Sequence, residues 1–318
     1  MLSRAADNLY WMTRYIERAE AMARILDVAQ RMSLQTAGNT RGNGRSDEWE
    51  AALIIAGCDK SFALHGGAVT RRAVIDFLAF APDNPSSIHA CLKAARENAR
   101  AMRAQITSEA WESINAAWLE MQTLSLKTVE ADGFSPFFDW VRERSQLFRG
   151  VAEGTMQRDD ANRFMRLGTL LERADSTARI LDVKYHILLP SPGDIGGAVD
   201  YYQWGALLRS VSALRIYRQI YRDSIRPSRV AELLILREDF PRSLHACFAE
   251  IVTILQQLRQ FYRHDYPSVR QAEGMLMKVR YGNIEAIFDA GLHEYLTETI
   301  DSNIELGAAI ARDFMQPA

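Results

Sequence analysis

The sequence predicts an all-α fold, and three observations support that prediction. Apolar residues recur at alternating spacings of three and four in the first long segment, which is the pattern of one buried helical face. No stretch shows sustained alternation of apolar and polar residues, the pattern of a half-buried strand. Breakers rich in glycine and proline separate the periodic segments. The first apolar stripe consists of Leu9, Met12, Ile16, Ala19, Ala23 and Leu26.

The breakers predict where helices end and begin, and they divide the chain into about ten to twelve helices. A cap residue followed by proline predicts helix starts at Asn84–Pro85 and Ser135–Pro136, and Pro227 alone predicts a third. The longest predicted loops are AGNTRGNGRS at 37–46, ADGFSP at 131–136 and PSPGDIGG at 190–197.

The composition excludes several classes of protein. Of 318 residues, 48% are hydrophobic and 25% are charged, which is typical of a folded chain and not of a disordered one. The net charge of −2 argues against a nucleic-acid-binding coat. No apolar run approaches the roughly 18 residues of a membrane span, and the N-terminus lacks an apolar signal segment. We therefore expect a cytoplasmic protein that binds neither nucleic acid nor membrane.

An internal repeat is the strongest pattern in the chain. ERAEAMARILDV at 17–28 and ERADSTARILDV at 172–183 are identical at nine of twelve positions, with an offset of 155. An offset of 156 aligns PSSIHAC at 85–91 with PRSLHAC at 241–247. Ordered matches at a nearly constant offset indicate an internal duplication of a multi-helix unit. Its two copies are expected to pack about a pseudo-two-fold axis in one helical bundle.

The repeat divides the chain into four parts that are expected to form one compact unit. The first helical repeat is predicted at 1–106 and the second at 158–266. Connecting helices are predicted at 107–157, and C-terminal helices at 267–318.

The duplication identifies charged residues that both copies share in their long helices. They are Glu17 with Glu172, Arg18 with Arg173, Arg24 with Arg179 and Asp27 with Asp182, and Glu20 is matched by Asp175. Two interpretations remain open. In the first, the charges form a solvated stripe or an ion-pair lattice across the pseudo-two-fold axis. In the second, they line a polar cleft, and Glu17, Arg18, Glu172 and Arg173 are the candidate catalytic residues.

No cofactor or metal site is predicted. The Glu-x-x-His spacing of di-iron bundles is absent, as are nucleotide-binding glycine loops and a serine nucleophile elbow. His89 and His245 each precede a cysteine by two residues, and that spacing points the two side chains apart on a helix. We interpret these residues as part of the packed interior.

An arginine-rich segment of the second copy is a candidate binding surface. Arg215, Arg218 and Arg222 stand at i, i+3 and i+7, and Arg226 and Arg229 flank the proline that follows. Three arginines on one face beside a helix N-terminus suit a phosphate, a carboxylate or an acidic partner segment. A solvated face is the alternative.

Five segments of the chain resemble the alpha-E family, a bacterial all-helical family named for its Glu-Arg signature. They are MLSRAADNLYWM at 1–12, RYIERAE at 14–20, ARENARAMRAQITSEAWESIN at 95–115, LLERADSTARILDVKYH at 170–186 and YRDSIRPSRVAELLILREDFPRSL at 221–244. The resemblance spans nearly the whole chain. It implies the company of circularly permuted ATP-grasp proteins and transglutaminase-like cysteine proteases, and thus a system that makes and cuts amide or peptide bonds. The signature maps onto Glu17, Arg18, Glu172 and Arg173, whose role in the family is unassigned.

Two hypotheses about function follow from the resemblance. In the first, the chain is an accessory subunit that binds an ATP-grasp ligase-like protein. A transglutaminase-like protease, a peptide and an anionic small molecule are further candidate partners. In the second, the chain is a helical enzyme of the same system that acts through the Glu/Arg-lined cleft. A purely structural role is the third reading.

Overall fold

A computed structural model describes residues 3–36, 47–187 and 197–315. The predicted loop at 37–46 and most of the one at 190–197 lie outside these residues. None of the described residues forms a β-strand, so the all-α prediction is confirmed, and they form more helices than the sequence predicts. The α-helices are α1 Ser3–Thr36, α2 Asp47–Ile55, α3 Asp59–His65, α4 Arg71–Ile75, α5 Ile88–Ala101, α6 Ser108–Thr123, α7 Leu126–Asp132, α8 Phe134–Thr155, α9 Asp160–Ile187, α10 Ala198–Ser210, α11 Leu214–Tyr221, α12 Pro227–Ile235, α13 Leu244–Tyr262, α14 Pro267–Arg280, α15 Ile284–Ala290 and α16 Leu292–Phe314, and a π-helical segment spans Asp76–Phe80.

The two longest helices, α1 and α9, lie against each other and organise the rest of the fold. They have 34 and 28 residues, which corresponds to about 51 Å and 42 Å at 1.5 Å per residue. α1 also packs against α5 and α8, and α9 packs against α13 and α16. The predicted apolar stripe of α1 is buried from Leu9 to Leu26. One cluster of buried side chains includes residues from α1 through α16.

The predicted helix start at Asn84–Pro85 is wrong by three residues. α5 begins at Ile88, because the side chain of Ser87 accepts the capping hydrogen bond from the backbone N–H of Ala90. The side chain of Asn84 instead donates to the carbonyl of Phe77, at 3.0 Å, and stabilises the preceding turn. Both residues are good caps, and the hydrogen bond from Asn84 to Phe77, seven residues earlier, distinguishes them.

The predicted loop at 131–136 is also wrong, because α7 and α8 are joined by Gly133 alone. This glycine has a φ of +87°, a conformation that L-residues rarely adopt. α8 therefore begins at Phe134, and Ser135 lies inside the helix instead of capping it. The start predicted at Pro227 is confirmed.

α1 and α9 come very close where Thr13 meets Gly168. The Thr13 hydroxyl donates a hydrogen bond to the carbonyl of Met165, at 2.7 Å. A Cβ atom on Gly168 would lie 2.2 Å from the carbonyl oxygen of Tyr10 and 2.4 Å from Oγ1 of Thr13, far inside van der Waals contact. Gly168 is therefore the residue that permits this approach, and it aligns with Thr13 at the repeat offset of 155.

Gly168→Ala is expected to lower the free energy of unfolding by about 1–3 kcal/mol, because the added methyl group must push α9 away from the backbone of α1. Urea denaturation followed by circular dichroism measures the change. Gly154→Ala is the matched control, since no atom lies within 4 Å of its Cβ position and alanine favours a helix. Equal stability of the two variants would contradict the close approach.

Candidate functional site

The signature glutamates and arginines pair with each other across the interface between α1 and α9. Glu17 accepts two hydrogen bonds from Arg173, at 2.9 Å and 3.3 Å. Glu172 accepts two from Arg18, at 2.6 Å and 3.0 Å. Both pairs are bidentate, and each joins one long helix to the other. A two-fold relation between α1 and α9 would give this reciprocal pattern, and both that relation and the duplication stay predictions.

Glu17 and its neighbour Glu20 bind further arginines, and we call the whole set the Glu17 cluster. Arg149 lies 2.6 Å and Arg242 lies 3.2 Å from an oxygen of Glu17, and both also donate to Glu20. Arg24 donates to Glu20 at 2.6 Å. α8 and the turn before α13 are thereby tied to the carboxylates of α1. The Glu17 cluster consists of Glu17, Glu20, Arg24, Arg149, Arg173 and Arg242.

The second set of paired charges has fewer members, and we call it the Glu172 cluster. Arg14 lies 2.8 Å from Glu172, which also binds Arg18. Asp175 accepts a hydrogen bond from Arg179, at 2.6 Å, and has no other hydrogen-bond partner among the described residues. The Glu172 cluster consists of Arg14, Arg18, Glu172, Asp175 and Arg179.

The glutamates of both clusters are buried. Glu17 is 2% exposed, Glu20 is fully buried and Glu172 is 4% exposed. A solvated stripe is therefore the wrong interpretation for these glutamates. The described residues form an ion-pair lattice between helices instead.

The arginines keep the signature glutamates ionised. Burial opposes the ionisation of Glu17, but the surrounding guanidiniums, Arg173 foremost, outweigh it and hold its pKa below the ordinary value of 4.5. Burial acts in the same way on Glu172, and Arg14 and Arg18 bring its pKa below that value. A general acid or base works best with a pKa near the operating pH. Neither glutamate meets that condition at neutral pH.

The cysteines are placed as packed interior residues. Cys58, Cys91 and Cys247 are buried free thiols. Burial raises the pKa of Cys91 and Cys247 to about 12, so both stay protonated at neutral pH and are poor nucleophiles. Nδ1 of His245 lies 2.8 Å from the carbonyl oxygen of Leu236.

Positive charge exceeds negative charge in the Glu17 cluster, which holds four guanidiniums and two carboxylates. Burial and repulsion from Arg242 lower the pKa of Arg24 to about 10, against the attraction of Glu20. Arg149 and Arg173 also line a cleft of about 340 Å³. An anionic group in this cleft would offset the excess positive charge.

The arginine-rich segment does not form the single helical face that its spacing predicts. α11 ends at Tyr221, and Arg222 follows in the left-handed conformation with a φ of +51°. Arg222 therefore leaves the face that carries Arg215 and Arg218. All three arginines are exposed and have no ion-pair partner among the described residues. We call Arg215 and Arg218 on α11, together with Arg222 directly after it, the α11 arginine surface.

Arg226 and Arg229 differ from the arginines of that surface because they share an ion-pair partner. Asp223 lies 2.9 Å from Arg226 and 3.0 Å from Arg229. Asp223 offsets one of the two positive charges, so these arginines offer a weaker attraction to an external anion than the sequence predicts.

Sequence reasoning missed three arginines of the two clusters, namely Arg14, Arg149 and Arg242. Arg149 lies on α8, outside both repeat copies, so the repeat carries no signal for it. Arg242 lies within the second copy, but the first copy has Ser86 at that position. A search for charges that both copies share therefore discards it.

Two further properties concern only the described part of the chain. No helix there is both long and apolar enough to cross a membrane. No group of three or more histidine, cysteine, aspartate or glutamate side chains in those residues is arranged to hold a metal ion.

An all-α bundle with paired Glu-Arg motifs on its central helices defines the class of this protein. A family model named Alpha-E, described as a predicted alpha-helical domain with a conserved ER motif, matches residues 1–315. The chain belongs to the Alpha-E family. No curated protein and no solved structure matches it.

Glu17→Gln is expected to destabilise the fold more than Glu172→Gln. Breaking a buried ion pair costs about 3–5 kcal/mol. The Glu17 variant leaves four guanidiniums around one carboxylate, whereas the Glu172 variant leaves three, of which Arg18 is 24% exposed and accessible to water. The free energy of unfolding in urea at pH 7 measures both. A larger loss for Glu172→Gln, or no loss for either variant, would contradict this account of the clusters.

Proposed function

We propose that the chain is an accessory, partner-binding subunit of an ATP-grasp-linked system that forms or modifies peptide or amide bonds. The observation that carries the proposal is the mutual pairing of Glu17, Arg18, Glu172 and Arg173, which uses the signature residues to hold α1 against α9. The link to ATP-grasp proteins and transglutaminase-like proteases rests on the sequence resemblance. The same proposal expects the protein in the cytoplasm.

The alternative, a helical enzyme that acts through the signature residues, has less support. Both oxygens of Glu17 and of Glu172 accept hydrogen bonds from arginines. Their lowered pKa values leave no proton to donate at neutral pH. A substrate would meet these carboxylates as ionised hydrogen-bond acceptors and not as proton donors.

The α11 arginine surface supports contact with an acidic partner. Its three guanidiniums are exposed and lack a counter-charge among the described residues. Arg209, exposed in the last turn of α10, adds a fourth cation close in sequence to α11. Arginine is enriched at protein interfaces, and it binds carboxylates in a bidentate manner. An acidic segment of the ATP-grasp protein is the partner we propose for this surface.

The cleft beside the Glu17 cluster supports a second kind of ligand. Arg149 and Arg173 stand in its wall next to the hydroxyl-bearing residues Thr13 and Thr169. The wall also contains Glu153 and the pair of Arg166 with Glu250, so the excess positive charge of the cluster favours a carboxylate or phosphate at the Arg149 and Arg173 side of the cleft. We propose that a peptide or an anionic small molecule of the same system binds in this cleft.

Reversing the charge of Arg215 and Arg218 to Glu is expected to weaken binding of the ATP-grasp protein from the same cell by at least about tenfold. Both residues are exposed, so the fold should not change. The matched control reverses Arg270 and Arg280, two exposed arginines of α14. Purified partner and variants are compared by surface plasmon resonance.

Equal affinity of both double variants would show that the α11 arginine surface is not the contact. Failure of the wild-type chain to bind any ATP-grasp protein of its cell would overturn the proposed function itself. Circular dichroism of each variant verifies that a lost interaction does not reflect a lost fold.

A further inference from the structure

The two charge clusters differ at one matched position. At the repeat offset of 156, Ser86 corresponds to Arg242. Arg242 reaches into the Glu17 cluster, where it donates to Glu17 at 3.2 Å and also to Glu20. Ser86 is too short to make the matching contacts in the Glu172 cluster.

A cavity of about 260 Å³ lies beside Ser86. Its wall contains Glu172 and Asp175, which match the two carboxylates that Arg242 binds. The cavity exceeds several-fold the roughly 30 Å³ that one water takes up in the liquid, so it can hold a group of several heavy atoms. The other polar residues of its wall are Arg18, Ser176 and Arg179.

The surroundings of this cavity repeat those of the Arg242 guanidinium. Arg179 donates to the carbonyl of Ile55 at 3.4 Å. Arg24, the match of Arg179, donates to the carbonyl of Ser210, the match of Ile55. The carboxylates and the backbone carbonyls of the two sites therefore correspond. The sites differ because one contains the side chain of Arg242, whereas the other contains Ser86 and a cavity.

The carboxylates beside the cavity have unused capacity to accept hydrogen bonds. Oε1 of Glu172 accepts one, from Arg18, whereas the matching oxygen of Glu17 accepts a second one, from Arg242. Asp175 uses only one of its oxygens among the described residues. The Glu17 cluster already accommodates four guanidiniums around two carboxylates, so this fold tolerates a fourth guanidinium beside Glu172 and Asp175.

We propose that the cavity beside Ser86 is a binding site for a guanidinium group, which contacts Glu172 and Asp175 as Arg242 contacts Glu17 and Glu20. The planar fork of guanidinium donors matches two neighbouring carboxylates better than an ammonium does. The group comes from a small molecule or from an arginine side chain of a peptide. This inference does not depend on the proposed subunit role.

The test is a titration of agmatine, followed by isothermal calorimetry, into the wild-type chain and into Ser86→Arg. The wild type is expected to bind. Ser86→Arg introduces the side chain that the other cluster already carries, so it is expected to remain folded and to bind agmatine at least tenfold more weakly. A short peptide with a central arginine is titrated in parallel, and the tighter of the two probes identifies the source of the group.

Two controls make the result specific to the site and to its chemistry. Asp175→Asn removes one carboxylate charge without filling the cavity, and it is expected to weaken agmatine binding even if Ser86→Arg does not fold. Putrescine, which has an amine in place of the guanidinium, is expected to bind more weakly than agmatine. The proposal is overturned if neither probe binds the wild type, if Asp175→Asn or a folded Ser86→Arg binds as tightly as the wild type, or if putrescine matches agmatine.

Discussion

Two bidentate ion pairs, Glu17 with Arg173 and Glu172 with Arg18, are the interaction on which the rest of this structure depends. They lie between the two longest helices, and the glutamates are almost fully buried. A buried carboxylate that loses its counter-charge is costly, so the pairs restrict how α1 and α9 can slide or rotate against each other. α8 and the turn before α13 attach to Glu17 through Arg149 and Arg242. The Glu-Arg motif therefore holds the two central helices of the bundle together, and we call these two ion pairs the clasp.

Because the motif residues pair with each other, we expect the binding functions to reside in other parts of the molecule. Three features have unbalanced charge or unused hydrogen-bonding capacity: the α11 arginine surface, the cleft beside Arg149 and Arg173, and the cavity beside Ser86. The first two attract anions, and the third offers carboxylates to a cation. They also involve residues that the two predicted copies do not share, since Arg149 lies outside both copies and Arg242 is matched by Ser86. Binding specificity is expected to reside in these differences, while the shared residues maintain the fold.

The sequence predicts the all-α class and the buried stripe of α1, because both depend on the periodicity of apolar residues. Matches between the predicted copies identify the signature charges, and their mutual pairing is one of the two interpretations that these matches leave open. The sequence does not predict which cap starts α5, since Asn84 and Ser87 are equally suitable locally and a contact with Phe77 decides between them. It misses Arg149, because an arginine on α8 reaches Glu17 only through tertiary packing. It also places Arg222 on a helix that ends one residue earlier, at Tyr221.

The most direct test of the clasp is a double-mutant cycle on Glu172 and Arg18, with Glu172→Gln, Arg18→Met and the combined variant. This pair has partial access to water, so each single variant is expected to remain folded. The free energies of unfolding give the coupling between the two side chains. We expect the double variant to be more stable than the sum of the single losses implies, with a coupling of about 1–3 kcal/mol. Losses that add to within about 0.5 kcal/mol would contradict the account, because the two residues would then act independently of each other.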